Sequence, residues 1–581
     1  MSHATNASFE TLPVEIFHRI FDNLDAQTIV FSIRSVCRLF QRIVNTYNRY
    51  NLDFKSISKS DFHRFCHSIN PQNVTSLRLC DDEQTPNQIA LFMSLVRLRQ
   101  FSRLHAISFL GIAEFQLNMI LKRMHLNCLT SFSLNIQQYD SRRRKTTLKF
   151  LSSILVHPSL RKVELSIKND LIHNISWPTN VQLVHLTIDS DISFDTMLTI
   201  LSCSSQLHTL VLKQNLPRLM YKTKQTFSFP QLTALTIENL NDTMDKLESF
   251  LLCLPLLIDL KLIGEHCDLD GKRCQQFIQM NLPYLNNFQF FIDIIKSTLQ
   301  TLNDLEQIIE SFRNPFWTDY KKWFVAAQLK SDPSYCIQIY SIPICKSVLR
   351  YEFNSYNIFR SNSAILSNND PLIIKNINEL IFPLKSSTYR IMNEDELATN
   401  TPRYFNVTKI DVTIDRRTIL DSLKFLTSVV DVSKLVEVKL ESFYFNKDNQ
   451  TMLFEIVSIL DQARSLLSLV VHSNYCKYEL YPYLNRLCSI IPRQLKHLRM
   501  PANELNQIEV IFERCQNLSI VQFEITRTKF SLEVIKWFNQ HTADSAFRRH
   551  VGCDTIWIGT KNILIKENHK RIKLDENQSD N

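Results

Sequence analysis

Glycine is scarce in this chain of 581 residues. An average sequence of that length would contain roughly 40 glycines, but this one has five, namely Gly111, Gly264, Gly271, Gly552 and Gly559. Phosphate-binding loops need clustered glycines, because only a backbone without side chains lets several N–H groups approach the anion. Neither GxGxxG nor GxxxxGK(S/T) can be assembled from these positions. The sequence therefore excludes nucleotide-dependent enzymes of those classes.

Long apolar runs are also missing. The longest, Phe250–Ile258, has nine residues, contains Pro255 and ends at Asp259, whereas a membrane-spanning helix needs about 20 apolar residues. The first residues, MSHATNASFETL, contain no basic region followed by the hydrophobic stretch of a secretory signal. We therefore expect no membrane span and a location in the cytosol or the nucleus.

Closely paired cysteines do not occur. The fourteen cysteines are scattered singly, often within apolar segments, as is typical of reduced thiols that behave as small hydrophobic side chains. We expect no disulfide framework. Cys267 and Cys274 likewise lack the paired spacing of a zinc site or a redox motif.

Charge is nearly balanced, with 66 Lys and Arg against 57 Asp and Glu and a formal net charge of +9. This excess is small for so long a chain, and it does not point to a nucleic acid as a partner. The densest basic run is Arg142-Arg143-Arg144-Lys145. Such a run can contact phosphates or an acidic partner, but we interpret it as a solvated loop.

What the sequence does contain begins with three helical segments in residues 9–50. Pro13 suits the first turn of a helix, where its missing N–H costs nothing. Asp25 is a predicted N-cap for the second helix. The third helix is indicated by apolar residues at helical spacing from Val36 to Tyr47.

These helices carry more aromatic surface than a unit of about forty residues can bury by itself. Phe17, Phe21, Phe31 and Phe40 all fall within it. We therefore expect part of this surface to pack on the following domain or on another chain.

The same segment resembles the F-box motif, through Leu12-Pro13-x-Glu15-Ile16, then Ile20 and Leu24, and then Val36-Cys37-Arg38 with Phe40. The family usually has Trp where this chain has Phe40. The resemblance implies a three-helix module that docks on a Skp-family adaptor and through it on a cullin. The residues that it assigns to the adaptor contact are Leu12, Pro13, Ile16, Phe17, Ile20, Leu24, Val36, Cys37 and Phe40.

Beyond this module an LxxLxL pattern recurs fifteen times, with 23 to 31 residues between the first positions of successive motifs in each half. The last two apolar positions are two residues apart, as one face of a strand requires, and helical spacing often precedes them. Each repeat therefore predicts a helix followed by a strand, and stacked neighbours bury the apolar faces. The motifs begin at Val74, Leu104, Leu129, Leu160, Leu183, Leu207, Leu232, Leu257, Leu285, Ile377, Val407, Leu435, Leu466, Leu495 and Leu518.

This period and pattern resemble irregular leucine-rich repeats. The resemblance implies an α/β solenoid in residues 51–298 and 371–565, with parallel strands on the concave side and helices on the convex side. We expect disordered ends at residues 1–8 and 566–581.

Residues 299–370 break the rhythm. Phe316, Tyr320, Trp323 and Phe324 are predicted to share one helical face, more as core than as a binding hot spot, and two strands are predicted to follow them. The segment is either an interruption between two halves or a pair of poorly conforming repeats.

Candidate sites for chemistry are few. His63 and His67 lie one helical turn apart with Cys66 between them, a spacing that can hold a metal. No Glu or CxxC partner is near them, and no GxSxG nucleophile motif occurs. We predict no metal, no cofactor and no catalytic residue.

The predicted function is that of a non-catalytic subunit. It recruits a protein substrate to an SCF-type cullin-RING ubiquitin ligase, with the repeats holding the substrate and the F-box holding the adaptor. The alternative is a protein-interaction scaffold whose F-box has lapsed or works without ubiquitin transfer.

Overall fold

The computed structural model describes residues 12–124, 126–139, 144–216, 227–295, 301–330, 336–351, 358–363, 370–384, 403–414, 422–441, 450–472, 481–525, 527–550 and 553–561. The predictions for residues 1–8 and 566–581 lie outside these ranges. The chain divides into two compact units, Met1–Thr209 and Leu210–Asn581.

The first unit opens with the predicted helices. They are Val14–Phe21, then a π-helix over Thr28–Ile33 that continues as Arg34–Val36, and then Arg38–Thr46. Cys37 separates the last two because its backbone is extended, with φ −158° and ψ 169°. Three helical segments are thus confirmed, with part of the second wound more loosely than an α-helix.

A parallel sheet follows in the same unit. Its strands pair in chain order, and each runs parallel to the next. They are β1 (Tyr50–Asp53), β2 (Val74–Cys80), β3 (Ala106–Ala113), β4 (Ser131–Gln138), β5 (Lys162–Ser166) and β6 (His185–Ile188). The α-helices that accompany them are Lys59–Ser68, Gln88–Leu95, Glu114–Leu121, Arg144–Leu155, Asn169–Ile172 and Phe194–Cys203, and short 3₁₀ turns lie at Pro71–Asn73 and Leu98–Gln100. Strand β7 (Thr209–Leu212) begins at the last residue of this unit.

The recurring apolar motif explains this sheet. Its middle positions are partners in register from strand to strand, as in Leu77 with Ile107 and Phe132 with Val163. In every one of the fifteen motifs all three apolar positions are buried, and none is more than 5% exposed. The residue between the last two apolar positions of each motif points to the opposite face, because strand side chains alternate. The prediction of parallel strands is confirmed.

Two large sheets are described in the second unit. In the first, β8 (Ala234–Leu240), β9 (Asp259–Glu265) and β10 (Asn287–Ile295) are parallel. Strands β11 (Val325–Lys330), β12 (Cys336–Ser341) and β14 (Ile358–Ser361) then extend the sheet in antiparallel fashion, in the order β10-β12-β11-β14. The direction of pairing therefore changes within residues 299–370, where the sequence rhythm breaks.

The second sheet resumes the parallel pattern. It starts with β13 (Val348–Arg350), whose partner is β15 (Glu379–Leu384), and runs through β16 (Lys409–Ile414), β17 (Glu437–Glu441), β18 (Ser468–Val471), β19 (His497–Pro501) and β20 (Ile520–Glu524). Two antiparallel strands end it, β23 (Cys553–Trp557) and β22 (Ala546–His550), and a separate pair joins β21 (Thr542–Ala543) to β24 (Thr560–Lys561). The helices of this unit are Met244–Leu251, Gly271–Asn281, Leu302–Ser311, Phe316–Tyr320 (π), Pro371–Ile374, Ser422–Val429, Val432–Lys434 (3₁₀), Gln450–Gln462, Tyr481–Ile490, Leu505–Arg514 and Thr528–His541.

The predicted aromatic face near residue 320 is wrong. Phe316–Tyr320 forms a short π-helical turn, and Tyr320 is 77% exposed. Trp323 lies beyond the end of this turn, where its indole N–H donates to the carbonyl of Asn286 at 3.2 Å. Of the predicted residues Phe316 is buried, and so is Trp317, which was not predicted and packs on Phe312 with ring centroids 4.7 Å apart.

The predicted basic loop is also wrong where the structure describes it. Arg144 and Lys145 begin the helix Arg144–Leu155, and Arg144 forms an ion pair of 2.7 Å with Asp170. Arg142 and Arg143 lie outside the described residues.

Cys267 and Cys274 are both free thiols. Burial raises the pKa of the Cys267 thiol to about 12, so it stays protonated and acts as a small apolar side chain. Among the described residues, no helix is both long enough and apolar enough to cross a membrane.

A buried polar cluster joins two helices of the first unit. The Thr147 hydroxyl donates to Glu114 Oε1 at 2.6 Å and accepts a hydrogen bond of 3.1 Å from the amide of Asn118. All three side chains are buried. Thr147 therefore supplies a hydrogen bond to the buried carboxylate of Glu114 between the two helices. Loss of that hydrogen bond would remove a partner from a buried polar group and destabilise the fold.

We expect Thr147→Val to lower the local free energy of unfolding by about 1–3 kcal/mol, because the substitution removes both hydrogen bonds but keeps the shape. Hydrogen exchange of the two helices in dilute urea measures this change. Thr146→Val, at the exposed neighbouring position, is the matched control. Equal effects of the two substitutions would contradict a role for the buried cluster.

Candidate partner-docking surface

The N-terminal helices enclose a small aromatic core. Phe17 and Phe21 are 1% and 2% exposed. The ring of Phe17 meets Phe40 edge-on at 5.5 Å, and the ring of Phe21 meets Tyr47 at the same centroid distance. Both contacts join the first helix to the third helix and its C-cap. Such edge-to-face pairs favour one relative placement of the helices.

A polar contact holds the C-terminal end of the first helix. The Tyr47 hydroxyl donates to Asp22 Oδ1 at 2.9 Å, and Arg49 donates to both oxygens of Asp22 at 3.0 and 2.9 Å. Burial, reinforced by the bond to Asp22, raises the pKa of Tyr47 well above its usual value. The phenol therefore remains a proton donor at neutral pH.

Asp25 caps the second helix, as predicted. Its carboxylate accepts hydrogen bonds of 2.7 Å from both the backbone N–H and the hydroxyl of Thr28. Partial burial acts to raise the pKa of Asp25, but these hydrogen bonds outweigh it and the pKa lies below its ordinary value. The ionised carboxylate is thus the form that the cap stabilises.

The module is attached directly to strand β1 and to the helix Lys59–Ser68. Phe31 packs on Phe65 with ring centroids 4.5 Å apart, and the Arg64 guanidinium lies 4.1 Å from the centre of the Phe31 ring. Tyr50, the first residue of β1, donates its hydroxyl to the carbonyl of Val44 at 3.0 Å. The expectation that part of the aromatic surface packs on the following domain is met by Phe31.

The first helix and the turn after it leave apolar side chains exposed. Ile16 and Ile20 are each 38% exposed and lie one helical turn apart, on the same face. Leu24 is 37% exposed, and Val36, just before the break at Cys37, is 67% exposed. Pro13 and Cys37 are exposed as well. Because water is an unfavourable neighbour for these side chains, they form a candidate docking surface.

Other predicted contact residues differ in accessibility. Leu12 and Phe40 are partly buried. Phe17 lies in the core, so the assignment of Phe17 to a direct partner contact is replaced by a packing role. Val14, which the motif did not single out, is 40% exposed beside Pro13.

Residues 9–54 match the family model of the F-box-like domain. The N-terminal module is an F-box-like domain. The matched span ends just after strand β1, so it includes the point at which the F-box-like domain joins the sheet. Domains of this family generally bind Skp-type adaptors and occur in non-catalytic adaptor subunits. No curated protein sequence matches this chain.

The histidine pair lies beside this domain in the helix Lys59–Ser68. The rings of His63 and His67 are stacked with centroids 6.5 Å apart. Within the described residues, no group of three or more His, Cys, Asp or Glu side chains is placed to hold a metal.

The second unit presents a charged strand face to which the sequence motifs assign no role. Asp411, Lys439 and Arg499 each lie between the last two apolar positions of a motif. Lys439 forms an ion pair of 3.0 Å with Asp411 on the neighbouring strand, and Arg499 forms one of 3.2 Å with Glu524. Partial burial raises the pKa of Asp411, although Lys439 acts in the opposite direction. The alternation of apolar and charged residues is the signal that identifies this face.

Proposed function

We propose that this protein is a substrate-recruiting adaptor of an SCF-type cullin-RING ubiquitin ligase, acting in the cytosol or nucleus. Its F-box-like domain docks on a Skp-family adaptor, and its repeats, which we assign to the irregular leucine-rich type, bind a protein substrate. The observation that carries the proposal is the exposed apolar row of Ile16, Ile20 and Leu24 in a domain with a closed aromatic core.

A small domain whose core is already filled by Phe17 and Phe21 gains nothing from exposed isoleucines unless another surface covers them. Burying each such side chain against a partner contributes about 1.5–3 kcal/mol at most. The residues of the row are therefore suited to be contact anchors.

The attachment of the domain supports the same function. Phe31 and Phe65, together with Tyr50 and Val44, join the F-box-like domain to the first repeats without a long linker. A substrate held by these repeats would then keep a defined position relative to the docked adaptor. Catalysis belongs to other subunits, and this chain contributes orientation and effective concentration.

We expect Leu12→Ala/Pro13→Ala to reduce co-purification of a Skp-family adaptor and a cullin with the full-length chain. Both residues lie at the start of the exposed helix, and the substitutions remove apolar contact surface there. Affinity purification followed by immunoblotting for both partners measures the loss.

The control is Ser94→Asp/Ser153→Asp, which changes two exposed helix positions elsewhere in the first unit. Equal recovery of the adaptor with the wild type and the Leu12/Pro13 variant would contradict the proposed docking surface. Recovery of the adaptor without a cullin would instead favour the scaffold alternative.

A further inference from the structure

The positive charge of this chain is concentrated in one stretch. Residues 84–163 contain twelve Lys or Arg and only two Asp or Glu, whereas the rest of the chain contains 54 and 55. The formal net charge of +9 therefore arises entirely within this stretch. Positive and negative side chains nearly balance in the rest of the chain, so the excess positive charge is local to residues 84–163.

The structure places many of these cations in equivalent connections. Arg97, Arg99 and Arg103 lie between the helix Gln88–Leu95 and strand β3. Lys122 and Arg123 follow directly after the helix Glu114–Leu121, before strand β4. All five side chains are exposed. We call these five residues the basic edge.

Backbone hydrogen bonds show that the connections are neighbours. The N–H of Thr130, just before β4, donates to the carbonyl of His105, just before β3, at 2.7 Å. The N–H of Arg161, just before β5, donates to the carbonyl of Thr130 at 2.8 Å. The amino-terminal ends of three parallel strands thus meet at one edge of the sheet.

Acidic side chains do not neutralise this edge within the described residues. Glu114 is 2% exposed and bonds inward to Thr147, and Asp140 lies outside the described part. None of the five cations forms a described ion pair, whereas Arg49, Arg64 and Arg78 of the same unit each have a carboxylate partner. The positive charge of the five residues of the basic edge is therefore available to a partner.

Helix stabilisation explains only part of this arrangement. A cation beside a helix C-terminus interacts favourably with the helix dipole, and Lys122 or Arg123 can serve that purpose. Arg161 also has a structural role, because it donates to the carbonyls of Pro158 and Leu160. Arg97, Arg99 and Arg103 form no described bond of this kind and are three cations at a single connection.

We propose that the basic edge binds an acidic, extended segment of a partner protein. This inference rests on the proposed function, because it specifies the chemistry of the substrate segment. Neighbouring strands are about 4.8 Å apart and an extended chain advances about 3.3 Å per residue, so about four residues span the three connections. Val156, 62% exposed at the connection before β5, provides an apolar contact among the charges.

The side chains at this edge favour a protein segment over a single-stranded nucleic acid. Binding of single strands combines cations with exposed aromatic rings that stack on the bases. The exposed large apolar residues described in residues 84–163 are Phe115 and Val156. Phe115 lies in the first turn of its helix, at the end away from Lys122 and Arg123.

The test uses the purified full-length chain and two fluorescein-labelled probes, an oligoglutamate peptide and an oligothymidylate with the same number of charges. Fluorescence anisotropy at low salt measures their binding. We expect the peptide to bind and Arg97→Gln/Arg103→Gln/Arg123→Gln to weaken it roughly tenfold. The control Lys272→Gln/Lys529→Gln/Lys536→Gln removes the same charge from exposed positions elsewhere and should leave binding unchanged.

Three results would overturn the proposal: no binding of the peptide to the wild type, equal weakening by the two triple variants, or tighter binding of oligothymidylate than of the peptide. The charge-conserving Arg97→Lys/Arg103→Lys/Arg123→Lys variant should retain peptide binding, and circular dichroism verifies that each variant is folded. The assay contains no Skp-family adaptor. A failure here therefore differs from a failure of F-box docking, which the co-purification detects.

Discussion

Replacing Ile16 and Ile20 with aspartate should abolish binding of a Skp-family adaptor while leaving the fold of the F-box-like domain intact. Both side chains are more than one-third exposed and lie on one face of the first helix. If each is a contact anchor worth about 2 kcal/mol, losing both weakens binding about a thousandfold. Charges placed in an apolar contact would weaken it further.

Isothermal titration calorimetry with a purified Skp-family adaptor measures this effect, and thermal unfolding of the free chain provides the second measurement. Phe17→Ala is the informative comparison, since Phe17 is 1% exposed and packs edge-on against Phe40. We expect Phe17→Ala to destabilise the domain by about 3–5 kcal/mol. Unchanged adaptor affinity in the Ile16→Asp/Ile20→Asp variant would rule out this face as the docking surface.

Ile16 and Phe17 show that the F-box pattern does not predict which of its apolar residues are buried. The motif assigns both to the same contact because it records residue type and order. Their environments differ because adjacent residues on a helix point about 100° apart, so one faces Phe40 and the other faces solvent. Burial depends on how the three helices pack, and the motif carries no information about that.

The strands were predictable for a physical reason. The last two apolar residues of each LxxLxL motif are two positions apart and so lie on one face of a strand. That face must be buried, and neighbouring strands with the same motif bury their faces together with it. The register of Leu77 with Ile107, and of Leu380 with Ile410, follows from aligning the motifs. Local pattern and tertiary pairing therefore agree.

The interrupting segment was harder to interpret because its packing is determined by contacts distant in the sequence. Trp317 is buried through Phe312 and through a hydrogen bond from its indole to the carbonyl of Gly271 at 3.3 Å. Helical periodicity had selected Phe316, Tyr320, Trp323 and Phe324, of which Phe316 is buried and Tyr320 is exposed. A π-helical turn places successive side chains at a different angle from an α-helix, so an argument based on 3.6 residues per turn fails there.

The basic edge was missed for a related reason. Arg97, Arg99 and Arg103 are spaced apart within one connection and Lys122 and Arg123 lie in the next, whereas the densest basic run in the sequence is Arg142 to Lys145. Only the parallel stacking of β3, β4 and β5 brings those connections together. A count of charges at equivalent positions in successive repeats would have found them.

The alternation that defines the sheets leads to the second large expected effect. Leu469 and Val470 are consecutive residues of β18, but Leu469 is fully buried and Val470 is partly exposed on the other face. Leu469 is also in register with Val438 and Leu498, the equivalent motif positions on both sides. A cavity at Leu469 would therefore lie between two other motif residues in the core.

We expect Leu469→Ala to lower the free energy of unfolding of the second unit by about 2–5 kcal/mol. Val470→Ala, the matched control, should cost less than about 1 kcal/mol because little buried surface is lost. Hydrogen exchange of β17, β18 and β19 under mild denaturant measures both changes. Because the apolar face is shared by strands in register, loss of protection should extend to β17 and β19 in the Leu469 variant. Equal destabilisation by the two substitutions would contradict the assignment of this face as the core.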